Sequence, residues 1–278
     1  MSNEILGLIM LGTLLVVIFF GFPIAFTLII LGILFGYFSF GEMVFDLMVI
    51  QTFGLMQEEV LAAVPLFVFM GYIVEQAELV ERLFMAFRNL FAFLKGSLYL
   101  GVILTATLFA MATGIVGAAV TVLGIMAAPV MIKCRYNARL CSGSIIAGGT
   151  LGILIPPSIM LVVMGPVLGV SVAKLYAAAF GPGFLLSALY IAYLLIRSYL
   201  NPSLGPEVPL EERITTAKKL REFLVGMVPL GALIFATLGS IMAGLATPTE
   251  AAAMGAAGGI LLALLYRKLT WPKFKEAA

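Results

Sequence analysis

Two short runs of small and polar residues interrupt apolar sequence: Thr113-Gly114-Ile115-Val116-Gly117-Ala118-Ala119, and Gly148-Gly149-Thr150-Leu151-Gly152-Ile153-Leu154-Ile155-Pro156-Pro157-Ser158. Backbone unwound at such points offers two chemistries. Free carbonyls and hydroxyls coordinate a hard cation, and the amides of a helix N-terminus receive an anion. Thr113, Gly114 and Gly117 in the first run, with Gly149, Thr150 and Gly152 in the second, form a candidate cation site. Pro156 and Pro157 lack backbone N–H groups and strand the carbonyls upstream, while Ser158 stands where it would cap the following half-helix. Pro156, Pro157 and Ser158 are therefore assigned to the substrate side, where a new N-terminus favours a carboxylate. The same glycines would also serve close helix packing, the ordinary use of small residues in membranes.

The rest of the chain says what must position these runs. Hydrophobic residues make up 63% of it and charged residues 11%, with a mean hydropathy of +1.17, so it is an all-α polytopic membrane protein and not a soluble domain. A net charge of +2 gives no footing for nucleic acid. Without histidine, and with only Cys134 and Cys141 flanking a basic loop, transition-metal chemistry has no ligand set, and free or packed thiols are the expected state. A membrane-embedded enzyme would need a nucleophile, an acid pair or a metal cluster within the spans, and the sequence supplies none.

Apolar spans fall at about residues 5–20, 23–40, 60–77, 97–132, 138–170, 173–197, 222–244 and 249–266, judged against the ~20 residues a crossing helix needs. With no basic residue ahead of it, the first is read as a membrane helix and not a cleaved signal. The 97–132 stretch is too long for one crossing and leaves arms of about 16 residues, short for two; a re-entrant helical hairpin with its tip at Thr113–Gly117 fits that length. The 138–170 stretch reads as one transmembrane helix broken at mid-membrane, the break spanning Gly148–Gly152 and the proline pair. If the N-terminus is outside, every Lys and Arg but Lys174 falls on the cytoplasmic side, which fixes the orientation. Glu42, Asp46, Glu58 and Glu59 then lie in an outer loop. Around residues 75–95, acids and bases alternate with Leu79, Leu83, Phe84 and Phe87 at helical spacing, as in a helix lying along the cytoplasmic surface. Residues 201–221, with three prolines and mixed charge, read as a linker leading into an interfacial helix, and for both segments a solvated connector is the other reading.

Taken with Phe180-Gly181-Pro182-Gly183 and Ala246-Thr247-Pro248-Thr249-Glu250-Ala251-Ala252-Ala253, the two interrupted runs resemble the large membrane subunit of tripartite ATP-independent periplasmic (TRAP) transporters. Pro65-Leu66-Phe67-Val68-Phe69-Met70-Gly71 and the hairpin tip are most similar to members associated with 2-oxo acids and related organic acids.

The resemblance implies a bacterial inner-membrane symporter driven by sodium and working as an elevator. It further implies a small membrane subunit and a periplasmic substrate-binding protein as partners, an organic acid such as a 2-oxo acid or C4-dicarboxylate as cargo, and no cofactor beyond Na+. It also implies two inverted repeats, of which this chain would hold the first and the start of the second. Residues 1–96 would be scaffold, 97–200 a transport unit, 201–221 an arm, and 222–278 the opening helices of the second repeat. A second hairpin and a second broken helix would follow, so the 278 residues alone are expected to be inactive. Relatives commonly carry serines at the tip, and Ile115 and Val116 shift the burden here to carbonyls. Thr247 and Glu250 fit a capping box, with gating or ion coupling as the other use. A sodium/dicarboxylate symporter working without a binding protein, and an inactive accessory subunit, are the alternatives.

Overall fold

A computed structural model describes residues 3–207 and 216–277, and among these there are helices and no strands. The chain divides into two compact units, residues 1–58 and 59–278.

The first unit holds α1 (Asn3–Phe19), α2 (Ile24–Phe40) and α3 (Met43–Met56). Gly21 at φ 80° and Pro23 at the N-cap position end one helix and start the next. Gly41, at φ 64°, closes α2 by donating its N–H to the Tyr37 carbonyl at 2.8 Å. The sequence places the segment after Gly41 in an outer loop between the spans at 23–40 and 60–77, with Glu42, Asp46, Glu58 and Glu59 in it. Glu42 and Asp46 instead occupy the N-cap position and first turn of α3, where the helix dipole favours negative charge. Most apolar side chains here are exposed, Phe19 at 90% and Phe38 at 70%, as suits helices in contact with lipid.

The second unit begins with a 3-10 turn (Glu59–Ala62). There follow α4 (Ala63–Gln76), α5 (Leu79–Leu90), α6 (Ser97–Thr113), α7 (Val116–Lys133), α8 (Ala138–Leu154), α9 (Ile159–Leu168), α10 (Val172–Leu200), α11 (Thr216–Met242), α12 (Pro248–Leu265) and α13 (Trp271–Ala277). Six stretches of the described residues are long and apolar enough to cross a membrane, among them 138–168 taken as one. At the centre lies α6. Of its residues only Leu104 and Leu108 are less than fully buried, which explains a helix apolar on all sides. Around it stand α4, α5, α7, α8, α10 and α11.

The expected surface helix is α5. Its apolar face, with Leu79, Leu83, Phe84 and Phe87, is buried against α6 and α11, and Glu81 and Arg82 stay exposed. Arg82 stacks 4.9 Å over the Tyr266 ring, Lys268 pairs with Glu78, and Asn89 donates to Glu222 at 2.8 Å. The α4–α12 contact depends on small residues: a Cβ on Gly255 would collide with the Met70 sulfur and stand 2.8 Å from Thr237 Cγ2.

Of the expected linker and arm, residues 208–215 lie outside the described residues. Residues 201–207 fold back onto the base of the α6–α7 hairpin. The Leu204 carbonyl accepts from the Asn137 N–H at 3.0 Å and from the Tyr99 hydroxyl at 2.7 Å, and the Gly96 N–H donates to the Gly205 carbonyl at 2.9 Å. Tyr99 meets Tyr136 edge-on, with ring centroids 4.8 Å apart. Burial raises the Tyr136 hydroxyl above its ordinary pKa, so it stays protonated and accepts from the Leu98 N–H at 3.3 Å.

Candidate functional site at the hairpin tip and helix break

Covalent structure opens the α8–α9 break. The Ile155 N–H closes α8 on the Leu151 carbonyl at 2.8 Å, but residues 156 and 157 are prolines, so the carbonyls of Gly152 and Ile153 have no helical donor. The chain turns through a cis Pro156-Pro157 bond and resumes as α9, where the Val162 N–H donates to the Ser158 carbonyl at 3.2 Å. Ser158 occupies the N-cap position yet does not cap. Its hydroxyl donates to the Ile153 carbonyl at 2.6 Å, supplying the partner that Pro157 removed. The amides of Ile159, Met160 and Leu161 therefore lack intrahelical acceptors.

The hairpin turns at Gly114 and Ile115. Gly114 sits at φ 62°, its N–H donating to the Ala110 carbonyl at 2.9 Å, and Ile115 is extended before α7 starts. This tip lies on the break. A Cβ on Gly114 would stand 3.1 Å from the Ile159 nitrogen and 3.3 Å from the Pro157 oxygen. From the α8 side, a Cβ on Gly152 would stand 3.7 Å from the Ile115 nitrogen. Behind the tip, α4 approaches so closely that a Cβ on Gly71 would stand 2.9 Å from Thr113 Cα.

The hairpin tip at residues 113–115 and the break at residues 155–158 thus meet at one point with no charged side chain of its own. The C-terminal end of α8 leaves carbonyl oxygens there and the start of α9 leaves N–H groups, a carbonyl pole and an amide pole. Thr113, Gly114, Gly152, Pro156, Pro157 and Ser158 meet there. The Thr113 hydroxyl is already used by the Phe109 carbonyl at 3.1 Å.

Three of the residues expected to coordinate a cation stand apart, because the run Gly148–Gly152 is helical and the break is confined to residues 155–158. Gly149 packs against Val120 of α7. Thr150 is exposed and donates to the Ala147 carbonyl at 2.8 Å. Gly117 lies on the first turn of α7 with no neighbouring atom within 4 Å of where a Cβ would be. Glycines in a packed helix bring helices together without unwinding them, and Ala106 and Val120 approach positions 148 and 149 in that way.

Thr247 and Glu250 also lie elsewhere, as the capping box of α12. The Thr247 N–H donates to Glu250 Oε2 at 2.7 Å and the Glu250 N–H to Thr247 Oγ1 at 3.3 Å, with Pro248 in the first turn. Thr249 donates to the Glu59 carbonyl at 3.0 Å and ties this helix start to the 3-10 turn. Two neighbours of the break escaped the sequence reading. Gly71 carries a signal only as one small residue in an apolar helix. Tyr176 of α10, whose hydroxyl faces the Ser158 main chain, carries none.

A bundle of apolar helices, six stretches of them long enough to cross a membrane, in which a helical hairpin meets a broken helix defines a polytopic membrane protein. The chain belongs to the family described as tripartite ATP-independent periplasmic transporter, DctM component, whose pattern matches residues 11–278. It is 30% identical over 243 residues to the ectoine/5-hydroxyectoine TRAP transporter large permease protein UehC of Ruegeria pomeroyi, covering 87% of this chain and 55% of that protein. It is 33% identical over 223 residues to the C4-dicarboxylate TRAP transporter large permease protein DctM of Pseudomonas aeruginosa, covering 79% and 50%. With the 2,3-diketo-L-gulonate TRAP transporter large permease protein YiaN of Escherichia coli K12 it shares 31% identity over 269 residues, covering 95% and 61%. The chain thus spans about half the length of these relatives.

Proposed function

We propose that this chain provides half of the membrane pathway of a sodium-coupled, binding-protein-dependent importer of organic acids in a bacterial inner membrane. The observation that carries the reading is the meeting of the Gly114 tip with the Pro156–Ser158 break. It supports the reading because carbonyls suited to sodium then lie beside amides suited to a carboxylate, in apolar surroundings where neither ion would enter alone. The compounds named for the three relatives are ectoines, C4-dicarboxylates and 2,3-diketo-L-gulonate. Their shared group is a carboxylate, which suits the amide pole, so 2-oxo acids and C4-dicarboxylates are the favoured cargo.

In this reading the hairpin is re-entrant. Its tip stops at the level of the break, and the 10 residues of α9 continue beyond, about 15 Å at ~1.5 Å per residue if α9 runs straight on. The N-terminus is periplasmic by the charge rule. Residues 97–200 carry the substrate as an elevator against the remaining helices, a small membrane subunit covers scaffold surface, and a periplasmic protein delivers the acid.

The test is uptake of labelled organic acids into proteoliposomes holding the small subunit and binding protein with either this chain or one extended to the relatives' length, with and without an inward sodium gradient. Sodium-driven uptake by the extended form supports the proposal, and uptake without the binding protein redirects it to a binding-protein-independent symporter. No uptake by either form refutes it.

A further inference from the structure

Tyr176 is fully buried and its hydroxyl has no hydrogen-bond partner. Such a group costs stability, and tyrosine hydroxyls are normally partnered when buried. Phenylalanine would fill the same space without that cost, so packing does not account for the oxygen.

The hydroxyl faces the Ser158 main-chain N–H, outside hydrogen-bonding geometry. Ser158 is itself buried, and its side chain is committed to the Ile153 carbonyl. The position of Tyr176 is set by α10 as a whole. Two helical turns on, a Cβ at Gly183 would stand 2.7 Å from Ile155 Cγ1, and one turn further the Ser187 hydroxyl lies 2.8 Å from that of Thr107 in α6. The stripe that docks α10 on the break thus brings Tyr176 to the amide pole of the site.

The groups gathered there are donors: the tyrosine O–H and the first amides of α9. A ligand that only accepts satisfies them together, and a carboxylate oxygen accepts from two donors at once. We propose that the Tyr176 hydroxyl is a substrate-recognition group, donating with the Ser158 N–H to one carboxylate oxygen of the transported acid. The proposal rests on the transporter reading above and adds to it a residue from a third helix.

The test is Tyr176→Phe in the complete transporter, full-length large subunit with small subunit and binding protein, reconstituted in proteoliposomes and offered labelled succinate, pyruvate and ectoine in turn. With whichever acid the wild type accumulates, the variant is expected to need about tenfold to a hundredfold more substrate for half-maximal sodium-driven uptake, the worth of a hydrogen bond to a charged group. Its maximal rate should change less and its thermal stability should hold or rise. A half-saturating concentration within twofold of wild type overturns the assignment while leaving the transporter reading intact, and so does a clear loss of stability, which would make the hydroxyl structural. Absence of sodium-driven uptake by the wild type overturns the transporter reading, and this assignment with it.

Discussion

Gly114→Ala and Gly117→Ala lie three residues apart, yet they should move stability in opposite directions. At Gly114 the backbone is left-handed, φ 62°, which costs an alanine ~1–2 kcal/mol. The new methyl would also stand 3.1 Å from the Ile159 nitrogen, 3.3 Å from the Pro157 oxygen and 3.4 Å from Ser158 Cα. These are main-chain atoms with no rotamer to yield, so the tip must lift, an overpacking cost of ~1–3 kcal/mol. The sum is ~2–5 kcal/mol. At Gly117 the backbone is helical and nothing lies within 4 Å, so alanine should gain up to ~1 kcal/mol of helix propensity. The assay is thermal unfolding in detergent followed with a thiol-reactive dye, since Cys141 is buried and reacts when the bundle opens. Gly114→Ala should unfold ~5–10 °C below wild type and Gly117→Ala at or slightly above it. Equal shifts in the two variants, or an unchanged Gly114→Ala, would refute the seating of the tip on the break.

Ser158→Ala removes the donor to the Ile153 carbonyl and should lower stability by ~0.5–1.5 kcal/mol in the same assay; an unchanged midpoint would mean the carbonyl finds another partner. Thr247→Ala should cost ~1 kcal/mol through loss of the α12 cap. Glu250→Gln, which keeps the box, should leave sodium-dependent uptake by the complete transporter intact, and loss of sodium dependence would move Glu250 into ion coupling. Gly255→Val should destabilise by ~1–3 kcal/mol because Met70 and Thr237 occupy its space. Gly231→Ala in α11, with no atom within 4 Å, should be neutral or better, and a similar loss in both would place the fault outside the α4–α12 contact.

The break was legible at Pro156-Pro157 because a missing N–H is a covalent fact that no packing can restore. The tip was legible at Gly114 because an apolar stretch too long for one helix must turn, and glycine admits the turn. The glycines at 148 and 149 misled: their neighbours Ala106 and Val120 come from helices distant in sequence, and only that closeness explains them. Ser158 misled for a related reason, since its hydroxyl chose a stranded carbonyl over the amides that follow. In α3, acids that read as loop were in helix-favouring first-turn positions, a distinction that depends on where Gly41 stops α2. Tyr176 was invisible, because one tyrosine in an apolar helix is unremarkable until α10 is laid against the break. By contrast α5 was plain, its apolar and charged residues already separated at helical spacing.

The tie at Leu204 gives the chain a schedule. Tyr99 and the carbonyl it finally holds are separated by 105 residues. At the ~5–20 residues per second of protein synthesis, Tyr99 leaves the ribosome roughly 5–20 s before its partner does. During that interval α6, α7 and α8 have been made, while the Gly96 and Asn137 amides and the Tyr99 hydroxyl have no Leu204 or Gly205 to hold. Until then the base of the hairpin is held by packing and by the Leu98 N–H donating to the Tyr136 hydroxyl, and residues arriving after α10 add the second fastening. A codon change that slows translation between α10 and Leu204 should lengthen that open period without altering a single contact of the finished fold.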